Sequence, residues 1–189
     1  MRKKIVFFIP SGCGGAERQA IVISKCLSDD EFNVTYHIYG PNNQLEKFLP
    51  GNRKWVFHKE PKFTHNLIKN MRKVIKEEKP ELVYGAGMPV NWRLIIASFF
   101  FKCKVILRNE NYLYTQSFTQ KLRLALTYPF ADYIIAQTDE MRDGLIKGLH
   151  LSKKLVHTVP NAIDKHYINK CLAEKSPFGE DDVNARFVA

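Results

Sequence analysis

Glycines at positions 12, 14 and 15 stand just behind an unbroken apolar run, residues 5–9 (IVFFI), which Pro10 closes. Without a Cβ, such a turn can take positive φ and bring its backbone close to a ligand. Beyond it, Ala16, Ala20, Ile23 and Leu27 recur at helical spacing, with Glu17, Ser24 and Ser28 on another face. Strand, glycine turn and helix in that order aim free amides and a positive helix end at an anion, typically phosphate. A second polar group, Arg108-Asn109-Glu110-Asn111-Tyr112, follows a later apolar run. In open α/β sheets the carboxyl end of a central strand is where ligands are contacted. Glu110 there is a candidate base, a sugar-hydroxyl acceptor or an ion-pair partner of Arg108; a polar surface loop with a local salt bridge is the plainer reading. Gly85-Ala86-Gly87 ends another strand, where the backbone can open towards a ligand.

The glycines fit neither common nucleotide fingerprint. A G-x-G-x-x-G motif starting at Gly12 meets Glu17 at its third glycine, and Tyr39-Gly40-Pro41 stands where a ribose-binding acid should end the second strand. No Gly-Lys-Ser/Thr follows, as a phosphate-binding P-loop requires. On a purely structural reading, the glycines only let the first helix pack tightly on the sheet.

The 189 residues suit one large domain, and 45% hydrophobic with 25% charged residues is ordinary for a globular chain. A net charge of +10 permits attraction to phosphates, nucleotides or anionic membranes. No zinc-finger spacing or aromatic RNA-binding signature accompanies it, so nucleic acid is not an expected partner. Cys13, Cys26, Cys103 and Cys171 form no C-x-x-C pair, which argues against a metal site and for a reduced compartment. Two of them lie in apolar helix-like contexts, and Cys13 lacks a neighbouring base that would activate it. The basic start and first apolar run resemble a signal peptide, but the run stops at Pro10; no stretch approaches a membrane span.

These groups need a scaffold, and the periodicity supplies one. Strands are predicted at residues 5–9, 33–39, 54–58, 81–86, 104–108, 132–137 and 155–159. Residues 62–79 read as a helix with Phe63, Leu67, Met71 and Val74 on one face and Lys69, Arg72, Lys73 and Lys76 on the other. A basic amphipathic helix can lie on an anionic membrane, though more often such a stripe is a solvated face. Further helices are predicted at 90–101 and 119–128, the latter with Leu122, Ala125 and Leu126 as its apolar side. Another is capped by Thr138 and ended by Gly148. The alternation predicts an α/β fold: a Rossmann-like, doubly wound parallel sheet of about seven strands, with helices on both faces. From residue 165 the chain turns polar and mixed, and residues 186–189 read as the start of a strand. The expected division is therefore a domain over residues 1–164, then a linker and the first strand of a second domain over 165–189.

With those elements placed, the chain resembles the N-terminal half of a GT-B glycosyltransferase of family 4, the retaining group 1 transferases. SGCGGAERQ looks like that family's GGxER turn, DYIIAQTDEMRDGLIKGL like its strand, Ser/Thr and acidic helix start, and LVHTVPNAID like its PN-G/A-[IV]-D segment. The resemblance implies an acceptor-side domain, and transfer from a nucleotide-diphosphate sugar with retention and no metal or other cofactor. The acceptor would be a glycan or a lipid-linked sugar, in bacterial surface polysaccharide synthesis. By position, Gly14 and Gly15 would approach the donor diphosphate or sugar, Glu17 and Arg18 match the ER pair, and Asn161 lies near the hinge. Gly87, Arg108 and Asn109 are further cleft candidates, and Glu110 stands where many members carry a histidine.

The family's E-x7-E pair is missing, since no two glutamates here have that spacing. The resemblance therefore implies that these 189 residues alone are inactive. It also implies a cytoplasmic protein, at the inner face of the membrane if the basic helix makes contact. The competing readings are a stand-alone dinucleotide-binding oxidoreductase, a basic membrane or nucleic-acid binding module, and a sugar-nucleotide epimerase of the same architecture.

Overall fold

The computed structural model describes residues 2–59, 65–163, 165 and 168–169. Among them, seven strands are β1 (Lys3–Pro10), β2 (Phe32–Gly40), β3 (Lys54–Lys59), β4 (Leu82–Ala86), β5 (Lys104–Asn109), β6 (Tyr133–Ala136) and β7 (Val156–Thr158). Five helices join them: α1 (Gly15–Lys25), α2 (His65–Glu78), α3 (Met88–Ser98), α4 (Phe118–Thr127) and α5 (Asp139–Leu149). All neighbouring strands are parallel, in the order β3-β2-β1-β4-β5-β6-β7. The order reverses between β1 and β4, which makes that junction the topological switch point.

β1 shows why the apolar runs are unbroken. Ile5, Phe7 and Ile9 enter the layer beneath α1, whereas Val6 and Phe8 join the layer shared with Leu67, Leu94 and Leu124. A strand covered on both faces has no polar side to present. The two faces are covered unequally. Core residues of α1 lie on one side, and those of α2, α3, α4 and α5 on the other.

Local chemistry corrects several sequence expectations. Ser24, read as part of the polar side of α1, is buried; its hydroxyl pairs with the Tyr36 hydroxyl at 2.6 Å and donates to Ile21 O. Gly148 does not end α5. His150 does, in the left-handed region at φ 52°, with its amide donating to Ile146 O. Leu122 and Leu126 are exposed, and α4 instead packs through Leu124 and Thr127. A capping box between Ser117 and Gln120 fixes where α4 starts. Cys26 is exposed at the end of α1 rather than packed as a small hydrophobe. Leu67, Met71 and Val74 of α2 are buried as expected, while Phe63, Cys171 and the strand expected at 186–189 lie outside the described residues.

Candidate functional site

Four loops converge where the carboxyl ends of β1, β2, β4 and β5 meet, and between them lies a crevice of about 400 Å³. Its walls are Pro10, Ser11, Gly12, Ala16 and Glu17 from the glycine turn, Pro41, Asn42 and Gln44 after β2, Gly87, Met88 and Pro89 before α3, and Glu110 with Asn111 after β5. A hollow of about 550 Å³ adjoins the crevice, lined by Cys13, Asn43, Gln44, Glu46 and Lys47, and two more, of about 550 and 570 Å³, lie along α5. Neither of the two along α5 sits at the switch point, where open α/β sheets bind ligands.

Gly87 makes the crevice possible. It sits at φ 83°, and a Cβ there would come 3.1 Å from Pro10 Cγ. Only glycine takes that conformation at no steric cost. On the other wall Ser11 is pinned to β2, its amide donating to Tyr39 O at 2.7 Å.

The glycine turn is less bare than its sequence implies. Glu17 folds back over it, so that a Cβ on Gly14 would meet Glu17 Oε2 at 2.8 Å and one on Gly12 would meet Oε1 at 3.3 Å. A carboxylate in the first turn of α1 complements the positive helix end. Gly15 has open space at its Cβ position, but neither it nor Gly14 lines the crevice. Arg18 points elsewhere, with its guanidinium 4.7 Å from the centre of the Phe48 ring.

Glu110 does face the crevice. Burial first, and the charge of Glu17 second, push its carboxyl up to about 7, against the opposing pull of Arg108. Its Oε1 is buried without a hydrogen-bond partner among the described residues. No ion pair joins Glu110 to Arg108, contrary to one sequence reading. Arg108 is fully buried, and its Nη2 donates to Asn161 Oδ1 at 2.8 Å and to Val159 O at 3.4 Å. The Arg108 charge therefore acts on Glu110 through space, while its hydrogen bonds hold the segment after β7. Tyr84 lies beside it; burial raises that phenol and Arg108 opposes the rise.

Asn109 turns to the other face of the sheet. Its Nδ2 donates to Asn111 O at 2.7 Å and its Oδ1 accepts from the Tyr128 hydroxyl at 3.2 Å, which shapes the loop carrying Glu110. The structure thus brings Glu17, Gly87 and Glu110 together. It leaves Gly14, Gly15, Arg18, Arg108, Asn109 and Asn161 outside the crevice lining.

Two contributions escaped the sequence reading. Pro41, Asn42 and Gln44 form a wall, although Pro41 and Asn42 read only as punctuation after the second strand; their place at its carboxyl end was the available signal. Gln19 grips Ala162 with both side-chain atoms, Nε2 to the carbonyl and Oε1 from the amide, each at 2.9 Å. Nothing in the local sequence around Gln19 announces a contact so distant in the chain.

Residues 13–167 match the profile of Glycosyltransferase Family 4. Comparison with curated proteins gives no match. Among solved structures, HepE of Anabaena in complex with UDP-glucose is 19% identical with a TM-score of 0.68, covering 85% of this chain and 44% of HepE. The lipopolysaccharide outer core galactosyltransferase WaaB is 15% identical with a TM-score of 0.65, covering 85% of this chain and 46% of WaaB. UDP-N-acetylglucosamine 2-epimerase from Rickettsia bellii is 19% identical with a TM-score of 0.68, covering 93% of this chain and 50% of the epimerase. The chain therefore spans about half the length of each, and at these identities the likeness is one of fold.

Proposed function

The chain belongs to Glycosyltransferase Family 4, and from that premise we propose that it forms the N-terminal, acceptor-side lobe of a retaining transferase. The enzyme would move a sugar from a nucleotide-diphosphate sugar to a glycan or lipid-linked acceptor, without a metal or other cofactor. The observation that carries this reading is the open crevice at the β1–β4 switch point, where the glycine turn, Gly87 and Glu110 share one surface.

The lining favours a sugar over a bare diphosphate. Among the described residues it holds two carboxylates, Glu17 and Glu110, and no lysine or arginine. An anionic leaving group needs positive charge or donors aimed at it, so those groups must come from outside this crevice. A second lobe closing over it would supply them and exclude water, in keeping with a division at residues 164–165. Without that lobe the 189 residues are inactive as a transferase. Glu110, titrating near neutrality, can accept or donate a hydrogen bond to a sugar hydroxyl. Gly14 and Gly15 come into play once Glu17 swings off the turn. Arg108 and Gln19 hold Asn161 and Ala162, at the start of the path into the linker.

HepE holding UDP-glucose supports a nucleotide-sugar donor, and the activity of WaaB supports bacterial surface polysaccharide as the setting. Among the described residues no helix is long and apolar enough to cross a membrane. A cytoplasmic protein that touches the inner membrane surface through Lys69, Arg72, Lys73 and Lys76 of α2 fits that chemistry. Saturation-transfer NMR on the intact chain tests the donor class. UDP-glucose should give transfer signals and NAD none; the reverse result would restore the oxidoreductase reading.

A further inference from the structure

The opposite end of the sheet carries apolar surface that neither the core nor the crevice uses. Phe100 is 96% exposed, Leu126 65% and Phe130 61%, with Phe99 partly exposed beside them. Phe99 packs edge-on against Phe130, with ring centres 5.2 Å apart, and lies 6.3 Å from Phe100. Three rings from two separate loops, after α3 and after α4, thus form one platform. Phe100 has φ 72°, a region that bulky residues rarely adopt. Its ring stands outward although no core contact holds it there.

Cations frame the platform. Arg72 of α2 donates to Phe99 O at 3.4 Å and lays its guanidinium 5.1 Å from the Phe101 ring centre and 6.0 Å from that of Phe100. Lys102 is exposed two residues on, and Lys73 and Lys76 are exposed on α2. Of the acids on the flanking elements, Asp132 is matched by Lys104 at 2.7 Å, Glu77 by Lys73 at 3.8 Å and Glu78 by Lys4 at 3.0 Å, while Glu81 stands exposed before β4. Because these loops feed the starts of β5 and β6, the platform lies away from the crevice. A lobe closing on the crevice would leave it uncovered.

We propose that this platform, led by Phe100 and ringed by Arg72 and Lys102, docks the protein on a bilayer with anionic headgroups. The proposal rests on the peripheral-membrane part of the proposed function and adds the apolar anchor that the basic face of α2 lacks. Apolar rings under a cationic rim suit the headgroup–acyl boundary, where aromatic side chains insert and lysines meet acidic lipids. Leu122 and Leu126, one helical turn apart and both exposed, continue the apolar surface along α4.

Co-sedimentation of the intact chain with vesicles tests it. The chain should bind equimolar phosphatidylcholine–phosphatidylglycerol vesicles, not phosphatidylcholine alone, and be released by salt near 1 M, where the screening length is about 3 Å. Phe100→Ser should weaken binding about tenfold while melting like the parent, since the ring is outside the core. Lys102→Glu should weaken it as well. Absence of vesicle binding, or equal binding by the parent and Phe100→Ser, would overturn the proposal. So would a parent dimer that Phe100→Ser dissociates, which would make the platform a protein interface. UDP-glucose signals from the same samples report on the crevice separately, so failure of the platform leaves the donor reading standing.

Discussion

Glu17 and Glu110 share the crevice at the strand tips, and the charge of Glu17 reinforces the effect of burial in holding the Glu110 carboxyl near neutrality. Like charges in one hollow disfavour double ionisation. Glu17→Gln should therefore lower the Glu110 pKa, although burial keeps it above the ordinary carboxylate range. Carbon-detected NMR titration of the glutamate carboxyls reads this directly; an unmoved Glu110 would separate the two residues.

The raised Glu110 pKa also sets a sign for stability. The folded state holds the proton more tightly than the unfolded chain, so this contribution is complete below about 4.5 and is lost as pH rises through about 7. Glu110→Gln should stabilise the protein at pH 8 by on the order of 1–2 kcal/mol and change little at pH 4. Denaturant midpoints at the two pH values check it.

A second buried network has the opposite sign. His37 Nδ1 lies 2.8 Å from His58 Nε2, and His37 Nε2 lies 2.8 Å from Glu78 Oε1, which also faces Lys4. Burial, then the charge of His37, lowers His58 to about 4, and burial lowers His37. The unfolded chain then binds more protons below about 6.5, so stability falls as pH drops from 6.5 towards 4. His58→Gln should flatten that slope, by on the order of 1 kcal/mol between pH 7 and pH 5. An unchanged slope would move the acid sensitivity elsewhere.

Gly87→Ala puts a side chain at φ 83° and 3.1 Å from Pro10. It should cost about 1–2 kcal/mol, while Gly15→Ala, with open space at its Cβ position, should cost less. Thermal melts of the two variants make the comparison.

Much of this was legible in the sequence, and for physical reasons. The run at residues 5–9 is what a strand covered on both faces requires, and Thr138 did cap its helix. Leu122 and Leu126 misled because hydrophobic periodicity marks an apolar side without saying that the core takes it; α4 buries Leu124 and Thr127 instead. Gly148 misled because His150 tolerates the left-handed conformation that glycine usually supplies. Of the site, Glu110 and Gly87 were readable from their places at strand ends. The cover that Glu17 lays over the turn, and the grip of Gln19 on Ala162, depend on tertiary contacts that no local pattern encodes.

On the proposed function, the crevice at the β1–β4 switch point receives the activated sugar. Amide chemical-shift mapping of the intact, isotope-labelled chain during titration with UDP-glucose tests it most directly, because it registers binding even at about millimolar affinity. Shifts should gather at Gly12, Gly14, Gly15, Gly87, Glu110 and Asn111, with β7 and the outer side of α5 undisturbed. Shifts confined to the hollow around Arg142 and His157, or none at saturating ligand, would contradict that reading.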